Sequence, residues 1–191
     1  LTKHGFMPLL MSSTFAPMEN GDYLWLGQDH GFNLKEIARH SKHDADAYEQ
    51  YSFDMNKVCQ AIKPIFDMVP PDLFSDDPEE LMALAQVGQI FRSMDKRTLH
   101  NTIRLLTGSA ADFLDDYFES EILKGYLASS AIIGTKVGPR SQGSGLVLLY
   151  HSLGEHDGEF GSWSFHKGGN GGFTQVLARA ARSFGAEIVL E

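Results

Sequence analysis

Gly168-Gly169-Asn170-Gly171-Gly172 stands directly before an apolar stripe of helical spacing, Phe173, Val176, Leu177, Ala180 and Phe184. Bare backbone N–H groups at a helix N-terminus let a phosphate or cofactor come close, so this turn is a candidate cofactor contact. Close packing of strand, helix and neighbour explains the glycines equally well. Neither phosphate-binding spacing is present. Gly-x-Gly-x-x-Gly fails at Thr174 after Gly169 and Gly171, and at Leu148 after Gly143 and Gly145. Gly-x-x-x-x-Gly-Lys-Ser/Thr is absent as well.

His151, Glu155, His156, Asp157 and His166 gather metal-ligand types in one stretch. Their spacing argues against a metal. His151 and His156 do not share a helix face, and the interval exceeds His-x-x-Glu-His by one residue. The reading is polar loop residues, with His151 lining a pocket, and a metal hydrolase is only a minor alternative. His40, His43 and Asp44 fall at a helix boundary, where the dipoles favour such residues for structural reasons. Asp112, Asp115, Asp116, Glu119 and Glu121 read as a solvated helix face. No Gly-x-Ser-x-Gly elbow is present. Cys59 is the single cysteine, which excludes an internal disulfide and a cysteine-based zinc cluster. It falls in a helical pattern and reads as a buried small hydrophobe.

The elements that position these residues need a core, and 191 residues with 42% hydrophobic and 21% charged content supply one. A net charge of −9 without a basic stripe argues against nucleic acid and anionic membrane surfaces. No apolar run reaches the roughly 18 residues of a transmembrane helix. The chain opens on Leu1 and ends on Ile188-Val189-Leu190-Glu191, a strand-like run. The expectation is an internal piece of a longer protein.

The fold class expected is α+β. Residues 1–33 are β-rich, with a hairpin around Asn20-Gly21, a dipeptide that tolerates positive φ. Leu34 to His40 reads as a short helix. Residues 41–133 form a helical block, with starts at Ser41, Asp77-Pro78, Asp95, Ser109 and Ser120. Pro64 should kink or end the first long helix. Residues 134–191 hold a Gly-rich loop, a helix at Leu146 to Leu153, a polar turn region and a final strand–helix–strand unit. That unit runs from Trp163-Ser164-Phe165 through the glycine turn and Gly185 to a strand at Ala186 to Leu190.

Gly138-Pro139, Gly143-Ser144-Gly145 through His151, Gly161-Ser162-Trp163, Gly168 to Gly171 and Gly185-Ala186-Glu187-Ile188 together resemble the phytoene desaturase-like FAD-dependent oxidoreductases. Within these, the chain is most similar to the subgroup named for a pyridine nucleotide-disulfide oxidoreductase domain. Pro70-Pro71-Asp72-Leu73, Ser109 to Leu114 and Ala131 to Gly134 add to the likeness, as do Ser41, Asp44-Ala45 and Tyr48. It covers almost the whole chain and is most specific over residues 105–188.

The resemblance implies a single substrate-domain fragment, residues 1–191, inserted into a split FAD-binding fold. Its partner would be the FAD-binding domain of the same protein, and its ligand a small hydrophobic or amphipathic substrate. FAD would belong to the longer protein, with none bound by the fragment alone. Gly168, Gly169 and Gly171 would lie near the flavin. Trp163, Asn170, Tyr150 and His151 would line the substrate cavity. The resemblance assigns no proton-transfer residue. Asn170 stands where relatives usually carry Met, so a carotenoid substrate is not implied. The alternative is a protein- or lipid-binding module whose parent has lost flavin chemistry. Exposed apolar surface around Trp163 and the last helix predicts a homo-oligomer. The expected compartment is the cytoplasm, or the mitochondrial matrix in a eukaryote.

Overall fold

The computed structural model describes residues 1–156 and 158–189. Asp157 and the Leu190-Glu191 end of the terminal run therefore lie outside the described residues. In chain order the elements are β1 (Pro8–Leu10), β2 (Ser13–Pro17), β3 (Tyr23–Gly27), α1 (His30–Ala38), α2 (Lys42–Asp67), α3 (Pro78–Ser93), α4 (Lys96–Thr107), α5 (Ala110–Asp115), α6 (Glu121–Ala128), α7 (Ser144–Ser152), β4 (Glu155–His156), β5 (Glu159–Phe160), β6 (Ser164–His166) and α8 (Gly169–Ser183). Helices dominate and the strands form small antiparallel pairs, which is the expected α+β class. The chain divides into two compact units, Ser13–Gly161 and Leu1–Ser12 with Ser162–Glu191. Among the described residues no helix is long and apolar enough to cross a membrane.

The larger unit begins with the β2–β3 hairpin, paired from Ser13↔Gly27 to Pro17↔Tyr23. Its loop is one residue longer than a two-residue Asn-Gly turn. Met18 N–H donates to the Asp22 carbonyl at 2.9 Å, enclosing Glu19, Asn20 and Gly21. Gly21 takes φ 84°, the left-handed position that three-residue hairpin loops need. Leu24 and Leu26 face the core from alternate positions of β3. Helix α1 starts earlier than Leu34, because Asp29 accepts from Phe32 N–H at 2.6 Å and caps it.

Four of the five helix starts read in the block hold through side-chain caps. Ser41, Asp77, Asp95 and Ser109 each accept from an N–H of the first turn. Ser120 makes no such cap, and its own N–H goes to Asp44, as described below. Helix α2 continues one turn past Pro64 and stops at Asp67. Proline removes one backbone donor and crowds the preceding turn, and the chain then leaves the helix before Pro70-Pro71.

Val58, Cys59, Leu105, Leu114 and Leu149 are fully buried from four helices, each aliphatic side chain contributing about 1.5–3 kcal/mol relative to exposure. Helices α4 and α7 approach closely at Gly145, where a Cβ would meet the Leu105 carbonyl at 2.7 Å. The buried Ser144 hydroxyl accepts from Ala110 N–H at 2.9 Å. Packing thus explains Ser144 and Gly145, and the left-handed φ of 86° explains Gly143.

In the smaller unit, β1 pairs with β6 from Pro8↔His166 to Leu10↔Ser164. Phe6 stacks on His166, with ring centroids 5.6 Å apart, and meets the edge of Phe173 at 5.8 Å. Arg179 Nε donates to the His4 carbonyl at 2.8 Å, fastening α8 to the N-terminal turn. Helix α8 ends as expected at Gly185, φ 91°. Ala186 N–H reaches the Ala181 carbonyl at 3.1 Å and Gly185 N–H the Arg182 carbonyl at 3.0 Å, a Schellman closure. The strand expected at Ala186 to Leu190 does not form over residues 186–189. A strand exists by pairing, and no described segment pairs with these residues.

Candidate functional site

The site residues named by resemblance fall on both units. Trp163, Gly168, Gly169, Asn170 and Gly171 belong to the smaller one, Tyr150 and His151 to the larger. Gly168 (φ 96°) and Gly169 (φ 69°) are left-handed and turn the chain from β6 into α8. No side chain caps that helix, so its first N–H groups remain open to solvent or ligand. Asn170 and Gly171 are exposed in its first turn. Gly172 is closely packed, since a Cβ there would come within 3.1 Å of the His166 ring and of the Lys167 carbonyl. Gly171 has neither a positive φ nor any atom within 4 Å of a built Cβ. Trp163 is half-buried at the start of β6, and its carbonyl accepts from Met11 N–H at 2.9 Å.

Tyr150 is 59% exposed on α7, its ring 6.0 Å from that of Phe66. His151 is a helix residue, not a loop residue. Its Nδ1 lies 2.9 Å from the Val147 carbonyl, one turn back on the same helix. His156 sits on β4. No metal cluster among the described residues includes either histidine.

A different constellation lies inside the larger unit. Asp54, 3% exposed on α2, sits between α4 and the segment after α5. Arg97 Nε reaches both its carboxylate oxygens at 2.9 Å, and Arg97 Nη2 reaches Oδ2 at 2.5 Å. Tyr117 Oη donates to Oδ2 at 2.8 Å and Gln50 Nε2 to Oδ1 at 2.9 Å. Asn101 Nδ2 donates to Tyr117 Oη at 3.2 Å. Burial, and then the bond to Asp54, push the Tyr117 phenol up to about 12. The bond to Asp54 raises the Arg97 guanidinium further. Above this network is a cleft of about 410 Å³, lined by His43, Gln50, Arg97, His100, Asn101 and Tyr117 among others.

His43, Asp44 and Glu119 hold ligand atoms within 4.8 Å of one another, a donor set that would suit a divalent metal. Their existing bonds explain them without one. Asp44 is fully buried and accepts from Glu119 N–H at 2.8 Å and Ser120 N–H at 3.0 Å. Glu119 accepts from the Ser41 hydroxyl at 2.8 Å. Both carboxylates fasten the start of α2 to the start of α6.

Sequence reasoning passed over Asp54, Arg97 and Tyr117. One signal was available: Asp54 interrupts the apolar stripe of Tyr51, Met55 and Val58, at a spacing that buries it. Arg97 and Tyr117 carry no comparable mark: Arg97 looks like an ordinary first-turn residue of α4, and Tyr117 follows the end of α5 inside an acidic run. The acidic run after Ser109 is also more than a solvated face. Asp116 pairs with Arg104, and Asp115 with Lys124 at 2.7 Å.

The chain is 34% identical, over 98% of its length, to "Pyridine nucleotide-disulfide oxidoreductase domain-containing protein 2" of rat and to the mouse protein of the same name. It spans 33% of the length of each, so it corresponds to a segment of them. No protein-family model matches the chain. No solved structure matches it.

Proposed function

We propose that this chain is the substrate-domain portion of an FAD-dependent oxidoreductase, of dehydrogenase, desaturase or amine-oxidase-like type. It would shape the cavity beside a flavin held mainly by residues outside it. The observation that carries this reading is the likeness along 98% of the chain to relatives named for a pyridine nucleotide-disulfide oxidoreductase domain. The sequence contains no Gly-x-Gly-x-x-Gly, so a primary grip on a dinucleotide is not built into these residues.

Gly171 supports a secondary contact. Glycine in a helix costs about 1 kcal/mol relative to alanine, and neither backbone angle nor packing requires it there. Close approach of a flat ligand would account for it. Gly168 and Gly169 would fix the turn, and the uncapped N–H groups of α8 would orient an electron-rich edge of the ligand. Trp163 and Asn170 are proposed as substrate contacts of the smaller unit, Tyr150 and His151 as contacts of the larger. When bound, the flavin would accept the hydride equivalent. The chain alone is expected to be catalytically silent.

One observation favours a second reading, a binding module. Val69 (87% exposed), Leu73 (70%) and Phe74 (94%) in the segment between α2 and α3, and Met82 (64%) on α3, are exposed apolar side chains. Loading the full-length gene product with FAD and scanning the visible spectrum separates the two readings. Stoichiometric flavin bands support the oxidoreductase; a protein that stays colourless favours the module.

A further inference from the structure

We infer that the cleft over Arg97 binds an oxyanion group, the carboxylate or phosphate of a small ligand, on the outer edge of the guanidinium. A guanidinium has five N–H groups in a fixed fork. Asp54 occupies the Nε/Nη2 edge. Tyr117 Oη is a further neighbour of the guanidinium, but among the described residues Nη1 bonds to no carboxylate, so the Nη1/Nη2 edge still presents N–H donors to a ligand. The buried carboxylate fixes the plane of the fork, and Tyr117 and Gln50 fix the carboxylate in turn. Such an arginine is pre-organised and loses little side-chain entropy on binding.

The surroundings match an oxyanion. His43 and His100 line the same cleft, and its volume of about 410 Å³ falls within the range of small-ligand sites. Asp116, the carboxylate at the rim, is paired with Arg104. Asp54 is paired with Arg97 itself. The lining therefore offers an anion the Arg97 guanidinium and neutral donors, with Asp54 and Asp116 each paired to an arginine, and with Asp44 and Glu119, beside His43, bonded to backbone N–H groups and to the Ser41 hydroxyl, on a chain whose net charge is −9. This inference does not rest on the flavin reading and goes beyond it.

The test is titration of the ¹⁵N-labelled chain with inorganic phosphate and, separately, with acetate, followed by amide chemical shifts. Saturable shifts at Gln50, Arg97 and Asn101 with either anion are expected. Saturation by phosphate alone assigns a phosphate group, and by acetate alone a carboxylate. R97K keeps a cation beside Asp54 but loses the fork, and should weaken binding about tenfold, the effect of one lost charged hydrogen bond. H100Q, on the exposed rim, should weaken it less while leaving the fold spectrum unchanged, and it decides the matter if R97K does not fold. Linear, unsaturable shifts would overturn the inference. So would equal competition by chloride, or undiminished affinity in both folded variants.

Discussion

Arg97 and Asp54 join α4 to α2 through a planar fork on a carboxylate that is 3% exposed, while the arginine side chain itself is 58% exposed. One partner is buried and the other is not, so the two halves of the pair are not equivalent. Removing the arginine leaves a buried charge with only neutral donors. R97A should cost about 3 kcal/mol in urea unfolding. The double variant D54M/R97M should recover most of that loss, because it removes the buried charge as well. A loss below about 0.5 kcal/mol for R97A, typical of an exposed pair, would contradict this account.

Asp44 serves the backbone more than it serves chemistry. Its oxygens take the N–H groups of Glu119 and Ser120, where α6 begins without a cap of its own. D44A leaves both donors buried or part-buried without a partner and should cost about 2–4 kcal/mol. D44N keeps one acceptor and should cost roughly half as much by the same reasoning. Added zinc or manganese should leave the melting temperature of the native chain unchanged. A metal-dependent rise lost in D44A would reinstate a metal site.

The helical block was legible in the sequence because its signals are local. Ser41, Asp77, Asp95 and Ser109 cap their own first turns. The hairpin was legible from Asn20-Gly21, although the loop length was not, since it depends on the pairing of Met18 with Asp22. What failed was non-local. The strand expected at Ala186 to Leu190 needed a partner that no local pattern supplies. The Asp54 network joins residues up to 63 positions apart, so only the misplaced charge in the α2 stripe announced it.

Alkaline pH should weaken the fold. Burial raises the Cys59 thiol to about 12, and burial with the Asp54 bond raises the Tyr117 phenol to about 12. The ordinary values are near 8.5 and 10. Both groups hold their proton more tightly when folded. Their contribution is complete below the unfolded values and is lost as pH rises through the folded ones. Stability should therefore fall from about pH 9 towards pH 12, less steeply in Y117F. Native Cys59, whose Sγ lies 3.5 Å from the Ser152 carbonyl, should react with a thiol reagent only as fast as the unit opens. Rapid labelling at neutral pH would refute its burial.

Gly169 and Gly171 should part company on substitution. G169A forces a side chain into a left-handed position and should destabilise the chain by about 1–2 kcal/mol. G171A relieves an unfavourable helix residue and should stabilise it by up to about 1 kcal/mol. In the full-length gene product, G171A should nonetheless weaken flavin retention or substrate turnover. Stabilisation without any functional loss would remove Gly171 from the site.

The most direct measurement is the visible absorption spectrum of the full-length gene product, purified without added cofactor. The account predicts oxidised flavin bands at close to one equivalent per chain, with none from residues 1–191 expressed alone. A full-length protein that is colourless, and remains so after incubation with FAD, would contradict it.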